Sequence, residues 1–260
     1  MLAGVPSLLG LLLSATEARG ESAARPYCAP ELSAIAQNVC SFQGAASADG
    51  PSVLVVYLHG ALPDRPGLAY VQQRGMVLHA KKHGFTLLFA ASPEIEGYRV
   101  WPRSRALQEA HELRVVEGLT QMRDLLQRER GGSYDRTFVV GFSSGAYYAG
   151  SLALRGVLDV DGYVILAGGS PERVELPAGR ERVPVFVGVS AADRTTASGA
   201  RSLASELLGA SWPSRVEEQN AGHLVDWTLL AHGLVWLGSQ ADARDAAHLA
   251  AGGTFFAASR

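Results

Sequence analysis

The sequence predicts an α/β fold with a mostly parallel central sheet and helices on both faces. From residue 51 onward, apolar segments alternate with amphipathic segments at regular intervals, which is typical of repeated βαβ units. Four of the apolar segments, VLVVYL, FTLLFA, TFVVGF and VPVFVGV, have no polar face, as expected of strands that helices cover on both sides. The chain of 260 residues is 47% hydrophobic and 18% charged, which excludes a disordered, collagen-like or coiled-coil protein.

The individual elements follow from the same patterns. The predicted strands are Val53 to Leu58, Phe85 to Ala90, Thr137 to Phe142, Tyr163 to Ala167, Val185 to Val189 and Arg215 to Gln219. Apolar residues at three- and four-residue spacing predict helices at Tyr70 to His83, Arg105 to Arg130, Ser144 to Arg155, Ser198 to Leu208 and Val225 to Leu237. Glycines stand where four of these helices would stop, at Gly84, Gly131, Gly156 and Gly209. No internal repeat or low-complexity linker interrupts residues 25–260, so we expect a single domain there.

Residues 1–24 differ in composition from the rest of the chain. An apolar run from Leu8 to Leu13 lies among small residues and is followed by small and polar ones, a pattern typical of a secretory signal peptide cleaved near Ala18 or Ala24. The run is too short to span a bilayer. We therefore expect a secreted or periplasmic protein with no membrane span after signal cleavage. A disordered leader is the alternative, because no positive charge precedes the apolar run.

The two cysteines, Cys28 and Cys40, lie close together just after the proposed cleavage site. A disulfide between them fits an exported protein and would contribute roughly 3 kcal/mol to stability in the chain-entropy model. The alternative is a pair of buried thiols on a helix from Glu31 to Val39. Zinc is not expected, because no CxxC motif or second ligand pair accompanies the cysteines.

The charge distribution bears on the partners of the protein. The 23 basic and 25 acidic residues are spread along the chain and nearly balance, which argues against nucleic acid or an anionic membrane as a partner. A small molecule or a neutral polymer is the favoured substrate. We expect neither a cofactor nor a metal, because the sequence has no GxGxxG after its first strand and no Walker loop.

The motif Gly141-Phe142-Ser143-Ser144-Gly145 lies where a buried strand ends and a helix begins. A serine at such a turn projects its Oγ above the sheet, and the flanking glycines let strand and helix backbones pass closely. Ser143 is therefore the candidate nucleophile. A GxSxG pentapeptide alone is common by chance in a chain with 29 glycines, so the prediction depends on this strand-to-helix context.

A nucleophilic serine needs a base, and the base needs an orienting acid. Asp193 and His223 each follow a predicted strand, at the sheet edge where open α/β sheets bind their ligands. We expect both to meet Ser143 there, with Asp193 as the acid and His223 as the base. The alternatives for these two residues are a helix cap and a surface histidine. Weaker candidates for the two roles are Asp159, Asp161, Asp226 and, inside the last helix, His232.

Acyl transfer also needs donors for the negative charge that develops on the carbonyl oxygen. His59-Gly60-Ala61 follows the first predicted strand, where the backbone N–H of Ala61 could supply one donor. The N–H of Ser144, directly after the nucleophile and at a helix N-terminus, could supply the second. We interpret His59 itself as a structural residue that shapes the turn.

Over roughly residues 50–240, the chain resembles the α/β-hydrolase superfamily. The resemblance rests on LHG after the first strand, GFSSG at the turn, the aspartate after the penultimate strand and AGH after the last one. The apparent secretion and the short connection after the fourth predicted strand, which leaves no room for a lid domain, are similar to its compact esterases. These include polyhydroxybutyrate depolymerase-like proteins, feruloyl esterase-like proteins and the carboxylesterase and acyl-thioesterase group. The resemblance implies the triad Ser143, Asp193 and His223 with oxyanion donors at Ala61 and Ser144. The HGGG run of many lipases is absent, so a bulky tertiary-alcohol ester is not indicated.

The sequence thus predicts a serine esterase that acts on a small-molecule or polymeric ester. A serine peptidase or a thioesterase with the same triad is the first alternative, and a non-catalytic binding protein of the same fold is the second. Leu62 and Trp101 are expected near the mouth of the crevice, where they could hold an acyl or aromatic group. Packing of Trp101 on the protein itself is an equal alternative.

Overall fold

The computed structural model describes residues 27–45, 50–63, 68–169 and 181–250. The predicted signal peptide, residues 1–24, lies outside these ranges, as does much of the connection from residue 167 to residue 184 on which the prediction of no lid domain rests. No helix in the described part of the chain is both long and apolar enough to cross a membrane.

A sheet of eight strands organises the described residues. The strands in chain order are β1 (Ser33–Ala36), β2 (Val39–Gln43), β3 (Val53–Leu58), β4 (Leu62–Pro63), β5 (Thr86–Ala90), β6 (Glu94–Ile95), β7 (Tyr98–Arg99), β8 (Arg136–Phe142), β9 (Gly162–Leu166), β10 (Val185–Ser190) and β11 (Ser214–Gln219). The order across the large sheet is β1-β2-β5-β3-β8-β9-β10-β11, while β4, β7 and β6 form a small second sheet. In the large sheet, the neighbouring strands β5, β3, β8, β9, β10 and β11 are all parallel. Only β2 is antiparallel to the strands on both of its sides. The prediction of a mostly parallel sheet is therefore confirmed.

Five helices within the described ranges cover the sheet. They are α1 (Leu68–His83), α2 (Arg105–Arg130), α3 (Ser144–Arg155), α4 (Ala197–Gly209) and α5 (Trp227–Ala250). Alternate residues of β3 pack into two separate cores: Leu54, Val56 and Leu58 join residues of α2, α3 and α4, whereas Val55 and Tyr57 join residues of α1 and α5. This alternation places helices on both faces, as the doubly apolar strands predict.

The structure corrects the sequence interpretation at the end of two helices. α5 continues beyond the predicted end at Leu237 to Ala250. It passes through Gly238, because a glycine inside a helix costs only about 1 kcal/mol and the alanine-rich segment that follows favours a helix. Gly209 is still helical, and the left-handed residue that follows α4 is Ser211, with φ of 52°. The other three predicted stops, Gly84, Gly131 and Gly156, have positive φ angles as expected.

The segment that precedes the first predicted strand is a β-hairpin rather than a helix. β1 and β2 pair antiparallel around Asn38, whose φ is 57°, and β2 continues the sheet beside β5. The alternative of buried thiols on a helix from Glu31 to Val39 is therefore wrong, and the predicted disulfide between Cys28 and Cys40 is confirmed. The buried amide of Gln73 also holds this segment on α1: its Oε1 accepts from the Ala29 N–H at 2.7 Å, and its Nε2 donates to the Tyr27 carbonyl at 3.1 Å.

Candidate active site

Ser143 occupies the single residue between the end of β8 and the start of α3. Its backbone has φ of 52° and ψ of −115°, a conformation that costs a non-glycine residue about 1–3 kcal/mol and persists only where the surroundings impose it. The Ser143 N–H donates to the Leu166 carbonyl of the neighbouring strand at 3.1 Å, and the Ser143 carbonyl accepts the first helical hydrogen bond from Tyr147. The turn is thus fixed on both sides, and it leaves the Ser143 side chain partly exposed at the carboxyl edge of the sheet.

The two glycines of the motif are required by close backbone contacts. A Cβ on Gly145 would lie 2.0 Å from the Leu58 carbonyl oxygen, and one on Gly141 would lie 2.5 Å from the Gly145 carbonyl oxygen. These distances are far below a van der Waals contact, and backbone atoms cannot move away without disrupting the sheet. The pattern GxSxG therefore has a steric basis in this chain.

His223 lies beside the serine on the loop that follows β11. Its Nε2 is 3.0 Å from Ser143 Oγ, and its Nδ1 is 2.6 Å from Asp193 Oδ2. The Asp193 carboxylate can only accept, so the imidazole carries its proton on Nδ1 and offers the Nε2 lone pair to the Ser143 hydroxyl. One ring face packs against Phe142, with 5.3 Å between ring centroids, while 43% of the side chain stays exposed.

Asp193 is buried in the turn between β10 and α4, with only 3% of its surface exposed. Its Oδ1 accepts from the N–H groups of Thr195 and Thr196, at 2.9 and 3.3 Å, and the Thr196 hydroxyl donates to Oδ2. Burial alone would raise the pKa of Asp193, but the hydrogen bonds from Thr196, His223 and the Thr195 N–H outweigh it and lower the pKa to about 2. The carboxylate is therefore charged at neutral pH.

Sequence reasoning did not identify the role of Thr196. The available signal was its position three residues after Asp193, at the start of a predicted helix, where a hydroxyl can hydrogen-bond the aspartate. Because Thr196 is itself buried, its hydroxyl orients the carboxylate toward His223 without competing water.

The weaker candidates for acid and base have other partners. His232 Nδ1 lies 2.7 Å from Glu217 Oε2, and Asp226 accepts from the Thr228 N–H at the start of α5. Asp161 accepts from the Thr137 N–H at 2.8 Å, and the carbonyl of Asp159 accepts from Arg123. None of these contacts involves Ser143.

The turn after β3 lies against Ser143, the candidate nucleophile. A Cβ on Gly60 would come within 3.3 Å of the Ser143 Cβ and 3.0 Å of the Phe142 ring, so this backbone passes directly beside the serine. The next residue, Ala61, is exposed, and Ser144 is the first residue of α3. Within the described ranges, no acceptor takes up the backbone N–H of Ala61 or of Ser144. Both backbone groups are therefore donors that the described residues do not use.

Trp101 does not line the crevice as a substrate platform. Only 1% of its surface is exposed, its indole N–H donates to the His59 carbonyl at 2.9 Å, and its ring stacks on Tyr148. This corrects the prediction that Trp101 binds substrate, because no ring face is open to a ligand. Leu62 is also largely covered, with 8% of its surface exposed, since it pairs with Arg99 in the small sheet.

His59 is fully buried behind the same turn. Burial is the main cause that lowers the pKa of His59 to about 4, with a further contribution from the positive charge of Arg99 and an opposing one from the Gly60 carbonyl. The ring is therefore neutral at pH 7. No group of three histidine, cysteine, aspartate or glutamate side chains in the described ranges is arranged to hold a metal ion.

Comparison of the sequence with known protein families and with curated proteins gives no match. Solved structures do resemble the chain. A carboxylesterase of Bacillus cereus is 18% identical, with a TM-score of 0.55 over 80% of this chain and 93% of its own. A carboxylesterase of Mesorhizobium loti is also 18% identical, with a TM-score of 0.55 over 76% of this chain and 93% of its own.

A third similar structure is a variant of SOBER1 from Arabidopsis thaliana, at 17% identity and a TM-score of 0.53 over 72% of this chain and 99% of its own. At these identities the likeness concerns the fold. Together with the strand order, it shows that the chain has the α/β-hydrolase fold, which confirms the predicted fold class.

Proposed function

We propose that this protein is a serine hydrolase that cleaves carboxylic esters through an acyl-enzyme on Ser143. The observation that carries the proposal is the continuous contact from Ser143 Oγ to His223 Nε2, at 3.0 Å, and from His223 Nδ1 to Asp193 Oδ2, at 2.6 Å. Nucleophile, base and orienting acid are within hydrogen-bond reach of one another, as covalent acyl transfer requires. The fold is shared with two proteins described as carboxylesterases, which supports an ester as the substrate.

In the first half of the reaction, Ser143 Oγ attacks the ester carbonyl carbon while its proton passes to His223 Nε2. The imidazolium that forms is stabilised by the charged Asp193 carboxylate, whose pKa of about 2 keeps it ionised. The tetrahedral oxyanion accepts hydrogen bonds from the open N–H groups of Ala61 and Ser144. The C–O bond to the alcohol then breaks, and the alcohol leaves with the proton from His223.

In the second half, water takes the place of the alcohol. His223 Nε2 accepts a proton from water as the water oxygen attacks the acyl carbon, and the same two N–H groups hold the second oxyanion. The bond to Ser143 Oγ breaks, the serine recovers its proton from His223, and the carboxylic acid is released. With 43% of its side chain exposed, His223 is accessible to the water that this step consumes.

The test is labelling of the purified protein with a fluorophosphonate, followed by turnover of a short-chain p-nitrophenyl ester series. We expect wild type to be labelled and active, and Ser143→Ala to lose both, because no other oxygen would lie against His223 Nε2. Ser239→Ala, an exposed serine on α5, is the matched control and should behave as wild type.

The outcome of that experiment separates the alternatives. Equal labelling of wild type and Ser143→Ala, or labelling of neither, would reject the catalytic serine and favour a binding protein. Labelling without ester turnover would move the proposal to thioester or peptide substrates, which the same series extended to acyl thioesters and anilides would identify.

We also propose that the protein is exported. The Cys28–Cys40 disulfide supports this, because disulfides persist in oxidising compartments and are rare in the cytosol. Fractionation of cells that express the full chain, combined with thiol alkylation, should find the oxidised protein outside the cytosol. A cytosolic protein with two free thiols would contradict the proposal.

A further inference from the structure

We propose that the His59 imidazole is a positioning residue that aims the backbone N–H of Ala61 at the oxyanion. This inference rests on the proposed function and adds to it a side chain that touches neither the nucleophile nor its base. Nothing in the triad explains why a polar ring lies fully buried directly behind the turn that follows β3.

The His59 ring is held by hydrogen bonds at both of its nitrogens. Nδ1 lies 2.6 Å from the Gly60 carbonyl oxygen, and the Ser92 N–H points to Nε2 at 3.0 Å. A carbonyl can only accept and an amide N–H can only donate, so these partners fix one neutral tautomer, with the proton on Nδ1. The ring also stacks on Phe89, at 5.9 Å and 12° between planes, which leaves it no freedom to turn.

The consequence for Ala61 follows from the geometry of the peptide bond. The peptide between Gly60 and Ala61 is planar and trans, so its C=O and N–H point in opposite directions. The C=O points inward to the buried imidazole, and the Ala61 N–H therefore points outward. Because Gly60 passes within van der Waals distance of Ser143, that outward side is the crevice in which the oxyanion forms.

The other end of Gly60 is fixed as well. Its N–H donates to Gln72 Oε1 at 3.3 Å, and the same oxygen accepts from the Tyr57 hydroxyl at 2.9 Å. With both peptide groups of Gly60 held, a glycine that could adopt many backbone conformations has only one. Preorganised donors of this kind stabilise a developing charge without reorganising during the reaction.

Trp101 links the two segments that carry the proposed oxyanion donors. Its backbone N–H donates to Ser144 Oγ at 3.1 Å, while its indole N–H donates to the His59 carbonyl at 2.9 Å. The same carbonyl also accepts from the Gly145 N–H, at 3.1 Å. The turn after β3 and the start of α3 are therefore joined through one buried residue, by its backbone on one side and its indole on the other. These contacts place the tryptophan in the core and not in the crevice.

Two substitutions separate the two contacts of the imidazole. His59→Asn places an amide N–H where Nδ1 stands, so it can still donate to the Gly60 carbonyl. His59→Gln reaches the position of Nε2 and can accept from Ser92, but it gives Gly60 no donor. We expect His59→Gln to lower kcat by roughly 10²-fold and His59→Asn by less than about tenfold, with KM changed by less than about threefold in both.

A third variant tests whether the effect passes through Ala61. Ala61→Pro removes the N–H, so adding His59→Gln to it should cost little further activity if both act on the same donor. The affinity for a boronic acid, whose tetrahedral adduct places an oxygen where the oxyanion forms, should weaken in parallel with kcat in the single variants. Thermal unfolding of each variant confirms that it is folded.

Three results would overturn the inference: a kcat for folded His59→Gln within about threefold of wild type, equal losses in the Asn and Gln variants, or an undiminished effect of His59→Gln in the Ala61→Pro background. A purely structural histidine would give one of these. Failure of the proposed function is distinguishable, because it would show as turnover that survives Ser143→Ala, and both proposals would then fall together.

Discussion

The two sides of the proposed catalytic crevice are built in different ways. On the nucleophile side, Ser143 is held by its own strained backbone, by two glycines with no room for a Cβ, and by a buried layer behind the turn. On the base side, His223 lies on a loop with 43% of its side chain exposed, and its orientation depends on one contact to Asp193 and one ring face on Phe142.

Because of this difference, substitutions on the two sides should affect stability and activity to different degrees. The contacts that position Ser143 are also contacts between β3, β8 and α3, so a change there disturbs the sheet itself. The contacts that position His223 join a loop to one turn residue, Asp193, and to the ring at the end of β8, Phe142. Changes on the base side should therefore remove activity at little cost in stability, whereas changes to the two glycines on the nucleophile side should also destabilise the fold.

The largest effect is expected from Asp193→Asn. An asparagine can donate its amide to His223 Nδ1 and so favour the tautomer that carries a proton on Nε2, which cannot accept from Ser143. In serine hydrolases with such a triad this substitution lowers kcat by about 10⁴-fold, and the proposed function predicts a loss of that size here. The measurement is steady-state ester hydrolysis together with thermal unfolding, and the midpoint should stay within a few degrees of wild type because the turn hydrogen bonds to Oδ1 remain.

The matched control is Asp226→Asn, a second turn carboxylate in the same part of the chain. Asp226 accepts from the N–H groups of Thr228 and Leu229 at the start of α5 and has no contact with His223 in the described residues. Asparagine caps helices as well as aspartate does, so this variant should keep full activity. A comparable loss in both variants would show that Asp193 acts only through the fold.

The next effect concerns the nucleophile side. Gly145→Ala places a Cβ 2.0 Å from the Leu58 carbonyl oxygen, and we expect the free energy of unfolding to fall by about 4 kcal/mol or more. Gly118→Ala is the control, because this helical glycine of α2 has no atom within 4 Å of a Cβ. There the alanine should raise stability by about 0.5–1 kcal/mol. Denaturant unfolding of both variants checks this, and equal destabilisation would contradict the steric argument.

The sequence predicts those parts of the site that depend on local patterns or on the order of parallel strands. The nucleophile motif is local, since GFSSG between a buried strand and a helix describes both the turn and its steric needs, and α3 has the predicted bounds. The positions of Asp193 and His223 could be predicted because parallel strands end at one edge. The hairpin of β1 and β2 could not, since its short strands carry no regular alternation and form only by pairing with β5.

The contacts behind the turn were also beyond sequence reasoning. Trp101 lies in a loop, and nothing in its neighbours along the chain shows that its indole bonds to His59 and its backbone to Ser144. Ser92 and Gln72 are equally remote from the turn in sequence. Such contacts depend on how several elements pack together, which local sequence patterns do not predict.

The smallest expected effect is on the pH dependence of stability, which should differ between His59, behind the oxyanion turn, and Asp193, on the base side. The pKa of His59 is lowered by burial from 6.5 to about 4, so the unfolded chain binds more protons than the folded one between these values. The contribution of His59 to the free energy of unfolding is complete above pH 6.5 and is lost as the pH falls to about 4.

The Asp193 carboxylate responds in a lower pH range. Its pKa is lowered from 3.8 to about 2, so its contribution to the free energy of unfolding stays complete down to about pH 3.8 and is lost only below it. Between about pH 7 and pH 4, wild type should therefore lose roughly 3 kcal/mol more stability in urea unfolding than His59→Gln does, whereas Asp193→Asn should follow wild type over that range. Parallel curves for wild type and His59→Gln would show that His59 already binds a proton in the folded protein, and the neutral ring behind the oxyanion turn would have to be abandoned.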